Sequence, residues 1–170
     1  MTEVQLQFMA ADDRMAFREM VEHYWRELMP DADVMQGPGR RDGYFEQRFR
    51  FDGAEGRPYW TVVDGQRVGF LMVGIVKSEK RAMVQDFYVR PEDRRKGYGS
   101  TMVRALYQQL DARGVQRVDL DVRRDNPGAL AFWEAQRFRI ALFRLRQYRD
   151  PKVGRSYIGA LSSDFAGSSE

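Results

Sequence analysis

The residues best suited to chemistry in this 170-residue chain form one run, Arg94-Arg95-Lys96-Gly97-Tyr98-Gly99-Ser100. An apolar segment, residues 82–89, precedes it, and residues 101–110 follow with apolar side chains at helical spacing. The glycines therefore fall at a strand-to-helix junction. There the first unpaired helix amides and the positive end of the helix dipole face the turn and favour a phosphate by about 1 kcal/mol. Gly97 and Gly99 let an anion approach the backbone closely, and Arg94, Arg95 and Lys96 add positive charge. The chemistry this pattern points to is anion binding; a solvated basic turn at a helix start has the same pattern.

Composition removes several alternatives. With no cysteine, disulfides, thiolate metal sites and cysteine nucleophiles are excluded. The one histidine, His23, leaves little material for a histidine-based metal cluster or a Ser-His-Asp triad, so no metal is expected. His23 reads as a face residue of the first helix. No run of about 18 apolar residues is present, and an N-terminus with Glu3 and no apolar core does not read as a secretion signal. The expected location is the cytoplasm, with no membrane partner. Residues 1–85 carry 12 basic and 14 acidic side chains, which leaves 16 basic and 11 acidic for residues 86–170. A polyanionic ligand or nucleic acid on the second half would account for that asymmetry, and so would the general excess of arginine over lysine.

The elements that must hold the glycine turn follow from periodicity and breakers. Residues 5–9 read as a strand, and Asp12 or Asp13 caps a helix to about residue 29 whose stripe is Met15, Met20, Val21, Tyr24, Trp25 and Leu28. A loop over 31–43 leads to a short helix over 44–51. Strands 59–63 and 68–76 flank Asp64-Gly65, a strong hairpin signal. After the strand ending at Val89 and the turn, a helix runs to about residue 113, closed by Gly114. Residues 117–122 alternate apolar with acidic, so Asp119 and Asp121 share one strand face. Asn126 caps a helix that starts at Pro127 and reaches about residue 136. Residues 139–148 and 157–161 are the last strand candidates. The expected order is β-α-α-β-β-β-α-β-α-β-β, an α/β (α+β) fold with one mixed sheet flanked by helices, a single domain over 1–161 and a flexible tail over 162–170.

Three stretches, in this order and spacing, resemble the GNAT superfamily of acetyl-CoA-dependent N-acetyltransferases. The first is a hairpin feeding a strand that ends in Val89-Arg90-Pro91-Glu92, followed by R-x-x-G-x-G over 94–99. The second is Leu120-Asp121-Val122 with Asn126 four residues on. The third, Asn126-Pro127-Gly128-Ala129-Leu130-Ala131-Phe132-Trp133-Glu134-Ala135-Gln136-Arg137-Phe138, is similar to the family's N-x-x-A-x-x-F-Y-x-x-x-G-F. The resemblance covers about residues 60–138. It implies a mostly antiparallel, splayed sheet and transfer of an acetyl group from acetyl-CoA to a primary amine by direct attack.

The resemblance also implies site residues. The amides of Arg94, Arg95, Lys96, Gly97, Tyr98, Gly99 and Ser100 would hold the CoA pyrophosphate. The backbone of Phe87, Tyr88 and Val89 would pair with the pantetheine arm and polarise the thioester carbonyl. Asn126 would contact the arm or stabilise the cofactor edge. Trp133, expected at the cofactor, stands where the family often has a tyrosine that protonates the leaving thiolate, which an indole cannot do. Unassisted departure, a substitute hydroxyl from Tyr88, Tyr98 or Tyr148, and loss of catalysis all remain open. Arg137 replaces the family's glycine. Two carboxylates are candidates for the general base: Asp121, where the similar ribosomal-protein N-terminal acetyltransferases (L-E-V-R-x-x-N) carry a glutamate, and Asp86, at the arm-binding strand end.

The acceptor, a small-molecule or peptide amine, is expected over the first helices and the loop over 31–43. Trp25, Tyr44, Phe45 and Phe49 lie there with Glu22, Glu27, Asp31 and Asp33, either as a surface for a cationic amine or as core. A non-catalytic acyl-CoA sensor or partner-binding module is the rival reading, motivated by Trp133. A nucleic-acid-binding domain using arginines between 137 and 155 is a third, with no nucleic-acid fold signature beside the charge. Homodimer formation stays open.

Overall fold

The structure, a computed structural model, describes residues 3–28, 43, 45, 46 and 57–142. In chain order these form β1 (Val4–Phe8), α1 (Arg14–Leu28), β2 (Arg57–Val63), β3 (Gln66–Val76), β4 (Arg81–Val89), α2 (Tyr98–Asp111), β5 (Arg117–Leu120) and α3 (Pro127–Ala135). The strands make one sheet in the order β1-β2-β3-β4-β5, antiparallel throughout except for the parallel pair β4 and β5. This is the expected mixed, mostly antiparallel sheet. The β2–β3 hairpin turns on Asp64 and Gly65, both at positive φ, as a two-residue turn of that sequence requires.

Each face of the sheet carries its own core. One face packs Leu71, Val73, Ala82 and Val84 against Met102, Val103, Leu106 and Leu110 of α2 and Trp133 of α3. The other packs Trp60, Phe70, Met72 and Tyr88 against Phe17, Val21 and Trp25 of α1, with Phe45 alongside. The α1 stripe is thus centred on Phe17, Val21 and Trp25, at i, i+4 and i+8. Met15, expected within it, is exposed because two residues carry it about 200° around the helix from Phe17.

Two expectations differ at their ends. β5 stops at Leu120 rather than at 122, so Asp121 lies beyond the strand. Residues 139–142 are not in a strand; residues 143–148 and 157–161 and the tail lie outside the described residues. Of the helix expected over 44–51, Phe45 and Glu46 are described and helical.

Candidate functional site

The site is built where β4 and β5 part. Their ladder pairs Arg81, Ala82, Met83 and Val84 with Arg117, Val118, Asp119 and Leu120 and goes no further. On its other edge β4 pairs with β3 so that Met72 opposes Asp86 and Val73 opposes Val84, which leaves Gln85 as an extra residue. Such a bulge bends and twists its strand, and the parallel ladder ends one residue before it. The bulge also inverts the facing of β4. Ala82 and Val84 join the α2 core before it; after it, Phe87 and Val89 pack on that core while Tyr88 joins the α1 core and Asp86 borders it.

Backbone direction in the parted segment follows from two contacts. Arg90 donates its N–H to the Val68 carbonyl at 2.9 Å, and the Tyr88 carbonyl lies so close to Gly69 that a Cβ there would meet its oxygen at 2.0 Å. Residues 88 and 90 therefore face β3, and by strand alternation Phe87 and Val89 turn their N–H and C=O groups into the opening. Of the three residues expected to pair with an arm, two present backbone there; Tyr88 instead contributes its side chain to the α1 face.

Beyond β4 a single turn, Pro91–Asp93, leads into the glycine run. Asp93, 7% exposed, accepts hydrogen bonds from Arg90 Nε at 2.9 Å and Lys96 Nζ at 3.0 Å. Burial pushes its carboxyl up, but the bonds and charges of Lys96 and Arg90 outweigh this and hold it below the usual carboxylate value. Arg95 takes a left-handed φ of 63°, and Gly97, at 81°, caps α2 with no side chain to strain. Among the described residues no acceptor meets the amides of Arg95, Lys96, Gly97, Tyr98, Gly99 or Ser100. Gly99 has a second reason to be glycine: a Cβ there would sit 3.1 Å from the Phe132 ring, so it permits α2 and α3 to touch. Ser100 adds to that contact by accepting from Gln136 Nε2 at 3.1 Å.

Across the opening, Asp121 is exposed just past β5. Asn126 caps α3 as expected, its Oδ1 accepting from Ala129 N–H at 3.0 Å, which leaves its amide N–H groups for another acceptor. Trp133 is 7% exposed and stacks edge-on with Phe87 at 4.9 Å and with Phe132 and Phe138. Arg137 adopts φ 70°, the left-handed helix-end conformation for which the family's glycine is suited.

On the α1 face, Asp86 is 5% exposed and accepts a hydrogen bond from Tyr24 Oη at 3.2 Å. The crevice it shares with Phe17, Val21, Tyr24, Trp25, Phe70 and Met72 is too narrow for a water molecule. Burial, then the charge of Glu27, raises the Tyr88 phenol above its usual value, so it stays protonated at neutral pH. Tyr98 packs on the α2 core, and Tyr148 lies outside the described residues. Of the aromatics expected near an acceptor, Trp25 and Phe45 are core, and Tyr44 and Phe49 lie outside the described residues. Glu22 pairs with Arg18 and Arg26, and Glu27 with Arg94. No cluster of three His, Cys, Asp or Glu able to hold a metal occurs among the described residues, and no helix among them is long and apolar enough to cross a membrane.

Sequence reasoning missed Gly69, Asp93, Tyr24 and the Glu27–Arg94 pair. Gly69 had a signal, as an isolated glycine inside an apolar strand marks a bulge or a close backbone approach. Asp93 had one too, three residues from a cation on either side. Tyr24 and Glu27 act across more than 60 residues of chain and had none.

A two-core mixed sheet with a bulged strand parted from its parallel neighbour, and a run of open amides at the next helix, defines an acyltransferase-type fold. Residues 17–138 match the acetyltransferase (GNAT) family, and the chain belongs to it. A [ribosomal protein bS18]-alanine N-acetyltransferase of Salmonella typhimurium is 30% identical over 101 residues, 58% of this chain and 67% of that protein. The Escherichia coli (strain K12) protein of the same name is 31% identical over 85 residues, so the chain spans little more than half its length, 56%, and 50% of this chain is covered. The PaiA N-acetyltransferase of Thermoplasma acidophilum, solved in complex with coenzyme A, shares the fold with a TM-score of 0.60 at 14% identity, over 79% of this chain and 88% of that one.

Proposed function

We propose that the protein transfers an acetyl group from acetyl-CoA to a primary amine. The observation that carries this is the parting of β4 and β5 past Val84 and Leu120, with Phe87 and Val89 backbone turned into the gap and six open amides beside it. That arrangement suits a ligand with a doubly charged pyrophosphate and an amide-bearing arm, since each half finds the polar groups it needs. Coenzyme A in the Thermoplasma relative and the N-acetyltransferase names of the bacterial relatives support the same cosubstrate and reaction. Acetyl-CoA would supply the activated acyl group.

This chain's own residues then have distinct tasks. The amides of residues 95–100 bind phosphate oxygens, with Arg95 nearby. Phe87 and Val89 pair with the arm, and one of their N–H groups stabilises negative charge developing on the thioester oxygen. Asn126 donates to the arm from the opposite wall. The amine nitrogen bonds to the acetyl carbon, the carbon–sulfur bond breaks, and the amine proton passes to Asp86 directly, or to Asp121 directly or through water. The protonated Tyr88 phenol serves as donor to the leaving thiolate; Trp133 lines the cofactor side as packing. The acceptor is a small-molecule or peptide amine reaching the α1 face. The reading carries with it a single domain over residues 1–161 acting in the cytoplasm.

Calorimetry with CoA and acetyl-CoA, followed by thiol release over a panel of primary amines, tests it. Binding with amine-dependent thiol release is expected. Absence of binding at millimolar ligand would sink the proposal. Binding without turnover of any amine would favour the acyl-CoA sensor that the buried Trp133, in place of a tyrosine, also fits.

A further inference from the structure

Arg94, the first cation of the glycine turn, is already engaged away from it. Its Nε donates to the Val89 carbonyl at 2.8 Å, while Nη1 and Nη2 donate to the two carboxylate oxygens of Glu27 at 2.5 and 2.7 Å. Its guanidinium lies 5.5 Å from the centre of the Tyr88 ring. Lys96 is committed to Asp93. Arg95 is exposed and has no acidic partner among the described residues.

We infer that Arg94 is a positioning residue for the arm-binding end of β4 and not a phosphate ligand. The inference rests on the acetyl-CoA reading for its consequence, though not for its geometry. Val89 is one of the two residues whose backbone enters the opening, and Arg94 occupies one lone pair of its carbonyl and so fixes the tilt of that peptide. The other end of the fork grips Glu27 in the last turn of α1. Through one planar side chain the strand edge that meets the arm and the helix that borders the acceptor side are joined. A fork with three directed N–H groups can do this; a lysine, with a compact point charge, cannot.

The test separates positioning from charge by dividing the ligand. Calorimetry would compare CoA with adenosine 3′,5′-bisphosphate, which has phosphates and no arm, in wild type and in Arg94→Lys, Arg94→Gln, Glu27→Gln and Arg95→Gln. Because the pair is partly exposed, Arg94→Lys should weaken CoA only about fivefold, with the bisphosphate unchanged within about twofold. Glu27→Gln should give a similar loss, and the Glu27→Gln/Arg94→Lys pair no more than either alone. Arg95→Gln should weaken both ligands. Wild-type CoA affinity in Arg94→Lys, or equal loss of both ligands in Arg94→Gln, would overturn the inference. Should wild type bind neither ligand, the acetyl-CoA reading fails by itself. The join between strand end and helix is then read without ligand: amide exchange at residues 25–28 should speed up in Arg94→Gln, and unchanged exchange there would refute it.

Discussion

The two strands that part at Val84 and Leu120 leave the shared ladder in different ways. Past the bulge at Gln85 the β4 side runs on for four residues paired with β3, Asp86 to Val89, and is fastened beyond its end by Arg94 to α1 and by Asp93 to Arg90 and Lys96. The β5 side ends at Leu120, and its chain turns toward α3 through Arg123, Asp125 and Asn126. Each side places an aspartate within two residues of the last shared pair: Asp86 is buried beneath Tyr24, and Asp121 is exposed. The difference suggests a division of labour. A fixed edge can hold a ligand's backbone in register, whereas a short, solvated edge can admit water.

The largest effect should come from breaking the fixed side at Gly69. A methyl group there would fall 2.0 Å from the Tyr88 carbonyl oxygen, a backbone atom that cannot rotate away, so β3 and β4 must separate. Gly69→Ala should cost about 3 kcal/mol of stability, at the upper end for overpacking. It should also disturb Phe87 and Val89, so CoA affinity should fall by more than the loss in folded fraction explains. Thermal melts with calorimetry on the folded protein check both parts. Full CoA affinity in a destabilised Gly69→Ala protein would show that the arm does not use this edge.

Next in size is the contrast between the two aspartates. If the fixed side carries the base, Asp86→Asn should lower kcat about 100-fold or more at neutral pH, with CoA affinity retained, while Asp121→Asn costs severalfold. The reverse order would move proton acceptance to the solvated side and leave Asp86 as a structural partner of Tyr24. Tyr24→Phe, measured in the same assay, sharpens the comparison. It removes the 3.2 Å hydrogen bond to Asp86 and should shift the pH profile only if Asp86 is the base.

Local rules made parts of both sides legible in the sequence. The Asp64-Gly65 hairpin, the Gly97 helix start and the Asn126 cap each follow from a residue's own backbone preference, and all three form where expected. The bulge at Gln85 did not show, because residues 82–84 and 87–89 are apolar without alternation, so the sequence does not mark where the faces they serve reverse. The early end of β5 follows from that bulge on its neighbour, so nothing within residues 117–122 signals it. Glu27 and Tyr24 meet the site through the stacking of α1 on the sheet, a tertiary event without a local pattern. Trp133 was legible as a departure from the family's tyrosine, but its burial among Phe87, Phe132 and Phe138 depends on the contact of α2 with α3 that Gly99 permits.

The smallest effect compares one acid from each side. Asp93 and Asp125 both have carboxyls held below the ordinary value. For Asp93, burial is outweighed by Lys96 and Arg90; for Asp125, the hydrogen bond from Arg123 leads. A carboxyl whose folded value is depressed contributes stability that is present above its unfolded value, about 3.9, and is lost as pH falls through the lower folded one. Asp93 is buried and bridges two cations three residues away on either side, whereas Asp125 pairs two residues back with its side chain 43% exposed. Asp93→Asn should therefore cost about 1–2 kcal/mol at pH 7, as for a hydrogen-bonded charge. Asp125→Asn should cost no more than about 0.5 kcal/mol, as for a surface pair. Thermal melts from pH 3 to 7 should show the Asp93→Asn gap to wild type constant above about pH 5 and closing below about pH 4, where the wild-type carboxyl also gains its proton. Asp93→Asn should also weaken CoA, because Lys96 and the amides after it lose their anchor. An equal effect from Asp125→Asn would mean that the β5 side is as firmly built as the β4 side, and the proposed division between a fixed and a yielding edge would be wrong.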